Sequence, residues 1–213
     1  MAYNYTRLTP VASGWPTIFL LSAIGLLLGV LLSFLGPLEY SSTTRILITQ
    51  ELGAVDAYTA SRSVERIADD LAAAVYTTKF RDDVLSGDFN VDLSFFPEDD
   101  TKLRKKWEKA VNTSVLRSTG FLTIKVYHPQ IDQAEIIALA VAKVLEQEGW
   151  TYTSGGNITV QLVDEPLNSN WPVRPNVLVN AFSGFILGAI AGVGYILIQV
   201  ERVSRRHQLI HEG

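Results

Sequence analysis

Apolar residues are concentrated in two blocks, one near each end of the chain. The first covers residues 15–36 and the second residues 177–200, and neither contains a charged side chain. A helix rising about 1.5 Å per residue needs about 20 residues to cross a hydrocarbon core of roughly 30 Å. The pattern predicts two transmembrane helices in a lipid bilayer. We expect the first to be retained rather than cleaved, because no A-x-A site follows it.

Small residues recur at four-residue spacing in both blocks. Gly25 and Gly29 form a short row, and Gly184, Gly188 and Gly192 form a longer one. Such rows allow another helix to approach closely in lipid. The sequence leaves two interpretations open: the rows pair the two helices of one chain, or they join neighbouring chains.

The charges that flank the blocks predict their orientation. Arg202, Arg205 and Arg206 follow the second block, and Arg7 precedes the first. Basic residues beside a span favour the cytoplasmic side, so both termini are predicted to be cytoplasmic. The predicted divisions are cytoplasmic segments at 1–14 and 201–213, spans at 15–36 and 177–200, and an extracytoplasmic domain at 37–176.

The domain between the blocks alternates between strand-like and helical patterns. Period-two alternation predicts strands over Tyr40–Thr49, Val115–Leu116, Phe121–Tyr127 and Ile158–Val163, with a hairpin turn at Arg117–Gly120. Spacing of three and four predicts helices over Thr59–Leu85, which Thr77–Thr78 can interrupt, Thr101–Val111 and Asp132–Glu148. The order predicts an α+β fold: a small β-sheet with helices on one face, flanked by two transmembrane α-helices.

Two connections in the domain have a distinctive composition. Gly155–Gly156 predicts a turn between the last helix and the last strand. A proline-rich segment at 165–176 contains Pro166, Pro172 and Pro175. Each proline fixes its own φ and restricts the preceding residue, so this segment is predicted to be extended and stiff.

Motifs and composition argue against an enzyme. The chain has no cysteine, a net charge of −4 and three histidines, so no thiolate site or nucleic-acid partner is expected. Walker, dinucleotide-binding and G-x-S-x-G motifs are missing from the sequence, and no cofactor or metal is expected. The carboxylate pairs Asp69–Asp70 and Asp82–Asp83 lie on predicted exposed helix faces.

One basic run has two interpretations. Lys102, Arg104, Lys105 and Lys106 fall in a predicted helix that acidic residues precede. A solvated helix face that complements the helix dipole is the simpler explanation. The alternative is a contact with an anionic glycan.

Taken together, these segments resemble the Wzz-type polysaccharide chain-length determinants, or polysaccharide co-polymerases, in a compact form without a kinase domain. The similar segments, which cover almost the whole chain, are YSSTTRILIT, SVERIADDLA, TTKFRDDVL, TIKVYHPQIDQAEIIALAVAKVL and ITVQLVDEP, followed by WPVRPN and a glycine-rich span. Their order and spacing carry the resemblance, because no single motif is specific.

The resemblance implies a non-enzymatic homo-oligomeric ring in the plasma (inner) membrane that sets the length of a surface polysaccharide or supports its export. It implies a polymerase or export machinery as partner, and a separate tyrosine kinase as a further one. The helix that ends near Gly149 is shorter than in the longer members of the family. A different class of function remains open: an extracytoplasmic sensor or adaptor that signals to a separate cytoplasmic kinase.

Overall fold

The computed structural model describes residues 14–51, 56–117, 119–153 and 157–211, and only the backbone of residues 57 and 203–211. Its elements in chain order are α1 (Trp15–Ser33), β1 (Tyr40–Gln50), α2 (Ala57–Ala74), α3 (Thr78–Ser86), α4 (Asp100–Ala110), β2 (Val111–Leu116), β3 (Phe121–His128), α5 (Ile131–Glu148), β4 (Ile158–Asn168) and α6 (Val177–His211). The chain divides into two units: Met1–Pro37 with Arg174–Gly213, the helix pair, and Leu38–Val173, the α+β domain.

The helix pair consists of two helices that are long and apolar enough to span a membrane. Their mean hydropathy is 2.2 over Trp15–Ser33 and 2.1 within Val177–Arg202. Only 11% and 17% of these windows are buried, so large apolar side chains face outwards, unlike those of a core helix in a water-soluble domain. α1 ends three residues before the predicted limit at 36. α6 continues past the predicted limit at 200 as far as His211.

The α+β domain is built on a four-stranded antiparallel sheet with the order β2-β3-β1-β4. The mixed fold class predicted from the sequence is confirmed, as is the hairpin, in which Leu116 pairs with Phe121. The predicted strand Val115–Leu116 is too short. β2 begins at Val111 because Val111 and Val115 lie on the core side of the sheet, and α4 therefore ends at Ala110.

The last strand is also longer than predicted. β4 continues beyond Val163 to Asn168, so Pro166 lies inside a strand and the proline-rich segment begins there. β4 is an edge strand with β1 as its neighbour, and a proline without an N–H is tolerated at a sheet edge. The pairing shifts register on either side of Arg45, which marks a β-bulge or similar irregularity.

The helices begin and end at identifiable caps. The Asp56 carboxylate accepts hydrogen bonds from the backbone N–H groups of Tyr58 and Thr59, so α2 starts earlier than predicted. The predicted helix Thr59–Leu85 is two helices, because α2 ends at Ala74 and Thr77 caps the start of α3. The predicted turn at Gly155–Gly156 lies outside the described residues.

The core of the domain is a layer of apolar side chains between the sheet and its helices. Trp107 of α4 is fully buried, and its Nε1 donates a hydrogen bond of 2.8 Å to the Val75 carbonyl oxygen. The other large side chains that are fully buried include Phe80, Ile46, Ile48, Leu71, Leu122, Ile124, Ile137 and Leu145. At about 25 cal/mol per Å² of buried apolar area, these side chains are the main stabilising contribution to the domain.

Candidate functional site

Glycines bring the backbones of α1 and α6 into direct contact. A Cβ atom at Gly184 would overlap the carbonyl oxygen of Gly25, and a Cβ atom at Gly188 would overlap that of Leu21. Only glycine fits where two helix backbones approach this closely. The five glycines singled out by spacing all lie at this contact: Gly25, Gly29, Gly184, Gly188 and Gly192.

The structure decides between the two interpretations of the glycine rows, since they pair the helices of one chain. A Cβ atom at Gly192 would lie 2.8 Å from the Ile18 Cα of α1, whereas one at Gly194 would have no neighbour within 4 Å. A neighbouring chain is therefore not needed to fill these glycine faces, because the partner helix of the same chain fills them.

One hydrogen bond joins the two helices near an end of the second span. The Asn180 side-chain amide donates to Ser33 Oγ at 2.9 Å, and Ser33 Oγ donates to the Gly29 carbonyl oxygen at 2.9 Å. The sequence shows Asn180 as a polar residue in an apolar block but gives no partner for it. Beside this bond, an apolar groove of about 620 Å³ is lined by residues that include Leu28, Gly29 and Ser183.

In the α+β domain, a buried histidine lies beneath an aromatic ring and a lysine. The ring centroids of His128 and Phe95 are 4.1 Å apart, and Lys106 Nζ lies 3.7 Å from the Phe95 centroid. The Gln130 N–H donates to His128 Nδ1 at 3.0 Å, while Nε2 is buried without a partner among the described residues. Burial lowers the pKa of His128, so the ring is neutral in the fold at neutral pH.

The carboxylate pairs do not form an acid–base site. Asp82 contacts the buried Arg81, and Asp83 accepts a 2.7 Å hydrogen bond from Tyr152. That bond lowers the pKa of Asp83, whereas a general acid at neutral pH needs a raised pKa. The expectation that both pairs lie on exposed faces is only partly correct, since Asp70 and Asp83 are half-buried.

The basic run divides between two faces of α4. Lys102, Lys105 and Lys106 lie on one face, and Lys106 is the member held over the Phe95 ring. Arg104 lies on another face and forms an ion pair of 3.2 Å with Glu108. The three lysines therefore form one surface, but Arg104 does not belong to it. The four residues cannot act together as a single contact for an anionic glycan.

The proline-rich segment lies partly in the sheet and partly beyond it. Pro166 belongs to β4, while Pro172 and Pro175 follow the strand, and the Arg174–Pro175 peptide bond is cis. Within the domain, the Val173 N–H donates to the Glu39 carbonyl oxygen at 2.8 Å, which ties the segment back to the residue before β1.

Comparison with known proteins identifies no relative of this chain, so the candidate sites are judged from their own geometry. No family model matches the chain, and no curated protein matches it well enough to count as a relative. Among the described residues, no group of three or more His, Asp or Glu side chains is placed to hold a metal ion. The most distinctive features are therefore the close helix pair, the neutral His128 and the lysine face of α4.

Proposed function

We propose that this chain is a non-enzymatic membrane co-polymerase that regulates the chain length or the export of a surface polysaccharide. It acts as a homo-oligomer in the plasma membrane with both termini in the cytoplasm. Its partners are a polysaccharide polymerase or export machinery. The proposal combines the resemblance of the sequence with the architecture of the two units.

One observation carries the proposal: the domain begins and ends at the same end of its sheet. β1 and β4 pair side by side, and the backbone joins Ser41 to Ser169 and Glu39 to Val173 by hydrogen bonds of 2.8 Å. An independent catalytic domain does not need its two ends tied together. A domain inserted between two membrane helices does, because both of its ends must return to the same membrane surface.

Deletion of the gene tests the function directly. The length distribution of the cell-surface polysaccharide, resolved on a gel, is expected to change or the polysaccharide to be lost, and the gene on a plasmid should restore it. A deletion strain whose polysaccharide has the parental length distribution and amount would contradict the proposal.

The orientation has its own test, which uses the lack of native cysteine. Single cysteines at Asp88 and at Arg202, both exposed, are labelled in intact cells with a thiol reagent that does not cross the membrane. We expect labelling at Asp88→Cys only, because the domain is extracytoplasmic in this proposal. Labelling at Arg202→Cys alone would show the opposite orientation and contradict the proposed topology.

A second candidate function is an adaptor that signals to a separate tyrosine kinase. The observation that favours it is the continuation of α6 as one helix from Val177 to His211, past the candidate span that ends at Arg202. A continuous helix transmits rotation or translation across a membrane better than a flexible tail does. Removal of residues 203–213 should abolish kinase binding in this case and leave polysaccharide length unchanged if no kinase is involved.

A further inference from the structure

Charge is divided unevenly within the α+β domain. Residues 100–128, which form α4, β2 and β3, hold seven basic and two acidic side chains, a net charge of +5. Residues 129–168, which form α5 and β4, hold one basic and six acidic side chains, a net charge of −5. β2 and β4 are opposite edges of the sheet, so the basic stretch includes one edge strand and the acidic stretch includes the other.

The basic edge is formed by the lysine face of α4 and the outer strand β2. Lys102, Lys105, Lys106 and Lys109 follow each other at spacings of three, one and three residues, which places them on one side of the helix. Lys102 and Lys105 are exposed. On β2, Leu116 is 59% exposed, but it faces the side of the sheet opposite to Val111 and Val115, so the cations of this edge come from α4.

The acidic edge is strand β4. Asp164 and Glu165 are exposed, and the apolar side chains of Val163 before them and Leu167 after them are 48% and 76% exposed. Pro166 and the register shifts near Arg45 make this edge unsuitable for adding another strand. A partner is therefore expected to bind through side chains rather than by extending the sheet.

We infer that the basic edge of one copy of this chain docks against the acidic edge of a second copy. The basic edge presents the lysines of α4 and the acidic edge presents Asp164 and Glu165, so the two surfaces carry opposite charge. Complementary potentials of this kind fix the register and raise the association rate. Because two different surfaces meet, the contact is head-to-tail, and it gives a ring when the rotation between neighbouring copies closes.

This inference deepens the homo-oligomer of the proposed function by naming its contact surfaces. It also replaces the glycine rows as the place of assembly, since those rows are filled within each chain. A second copy is favoured over an anionic glycan as the occupant of the basic edge because the same domain supplies the complementary edge.

Charge reversal on the full-length protein in detergent tests the contact, with the oligomer mass measured by native mass spectrometry over a range of concentrations. Lys102→Glu with Lys105→Glu, and separately Asp164→Lys with Glu165→Lys, are each expected to raise the apparent dissociation constant at least about tenfold. In the chain that carries all four changes, the reversed positions are complementary again while Lys106 and Lys109 keep their charge, so assembly should be stronger than with either double reversal alone. Wild-type assembly should weaken as salt rises to about 0.5 M.

Two matched controls separate this contact from general effects of charge. Asp69→Lys with Asp70→Lys reverses an acidic pair on α2, and Arg104→Gln changes the other face of α4; both should leave the oligomer mass unchanged. Thermal melting of every variant identifies loss of folding, which matters for Asp164 because it pairs with Arg45 at 3.4 Å.

Three outcomes would overturn the inference: a wild-type protein that stays monomeric at every concentration, an oligomer that neither reversal affects, or a four-change variant that assembles no better than either double reversal. If the lysine reversal left the oligomer intact but removed binding to an anionic polysaccharide such as alginate, the basic edge would be a glycan site. The gel assay of the deletion strain is independent of these results. A failure of the docking contact is therefore distinguishable from a failure of the proposed function.

Discussion

The helix pair and the α+β domain keep their elements together by opposite means. In the helix pair, the contact consists of glycines and backbone, and large side chains such as Phe19 and Leu187 are 62% and 66% exposed. In the domain, large side chains such as Trp107 and Phe80 are fully buried. Large apolar side chains therefore face outwards in the helix pair and inwards in the domain.

The outward-facing apolar side chains of the helix pair suit a lipid bilayer, and the inward-facing ones of the domain suit water. In water, burial of apolar area is the dominant favourable contribution to folding. In lipid, an apolar side chain gains nothing by leaving the acyl chains, so close packing and hydrogen bonds between helices decide the structure. Substitutions that remove volume should therefore damage the domain most, and substitutions that add volume at the contact should damage the helix pair.

The largest effect is expected from Trp107→Ala in the domain. The side chain is fully buried and donates to the Val75 carbonyl oxygen, so its removal leaves a cavity and an unpaired acceptor. We expect a loss of about 3–5 kcal/mol of unfolding free energy, measured by denaturant titration of the full chain in detergent. Trp150 is 67% exposed, and Trp150→Ala is the control with a change within about 0.5 kcal/mol. Equal effects of the two changes would contradict the assignment of the core.

A smaller effect is expected when volume is added to the helix pair by Gly188→Leu. The new side chain would overlap the backbone of Leu21 and Ser22, and overpacking of this kind costs about 1–3 kcal/mol. Distances between spin labels on cysteines introduced at Leu27 and Phe182 should lengthen or broaden. Gly194→Leu is the matched control, because a Cβ atom at that position would have no neighbour within 4 Å. If both variants kept the wild-type distances, the close contact would be wrong.

How much of this the sequence predicts depends on the kind of signal. The two apolar blocks and the hairpin are local patterns, and the structure has both helices and confirms the hairpin. The limits of β2 and β4 depend on pairing with strands distant in the sequence. Val111 and Pro166 are strand residues for this reason, although the local pattern predicts a helix at Val111 and a proline-rich connection at Pro166. Glycine spacing identifies a packing face, but it does not identify the helix that packs there.

The same limit applies to the candidate sites. Adjacent lysines in the sequence predict a basic surface, but only helix geometry separates Arg104, paired with Glu108, from Lys102 and Lys105. His128 is a lone histidine in the domain sequence, and nothing local indicates that Phe95 covers it. Charge complementarity between the two edges requires the sheet order, which depends on the direct pairing of β1 with β4.

Acid should destabilise the domain but not the helix pair, through His128. Burial lowers the pKa of this ring in the fold, so the unfolded chain binds the proton more readily. The stability contributed by the neutral ring is complete above the unfolded pKa of about 6.5 and is lost as pH falls through the folded value. Between the two values the loss is at most about 1.4 kcal/mol per pH unit.

Denaturant titrations at neutral pH and about one unit below the unfolded pKa measure this loss. His128→Phe should remove most of the difference between the two pH values, because the charged groups around the ring, Asp92, Lys106 and Glu39, remain in place. An unchanged pH dependence in that variant would assign the effect to other groups.

The smallest effect is expected from the hydrogen bond in the helix pair. Asn180→Leu removes the donor to Ser33 Oγ across the helix contact. Hydrogen bonds between membrane helices contribute about 0.6 kcal/mol on average, because the separated helices find other partners. Gln199→Leu is the control, since its amide bonds to Tyr195 on the same helix. A spin-label distance distribution that broadens for Asn180→Leu alone would show that the bond fixes the pairing of the two helices. Equal broadening in both variants would mean that polarity within the span matters rather than this contact, and the glycine faces would then be the only specific link between the two helices.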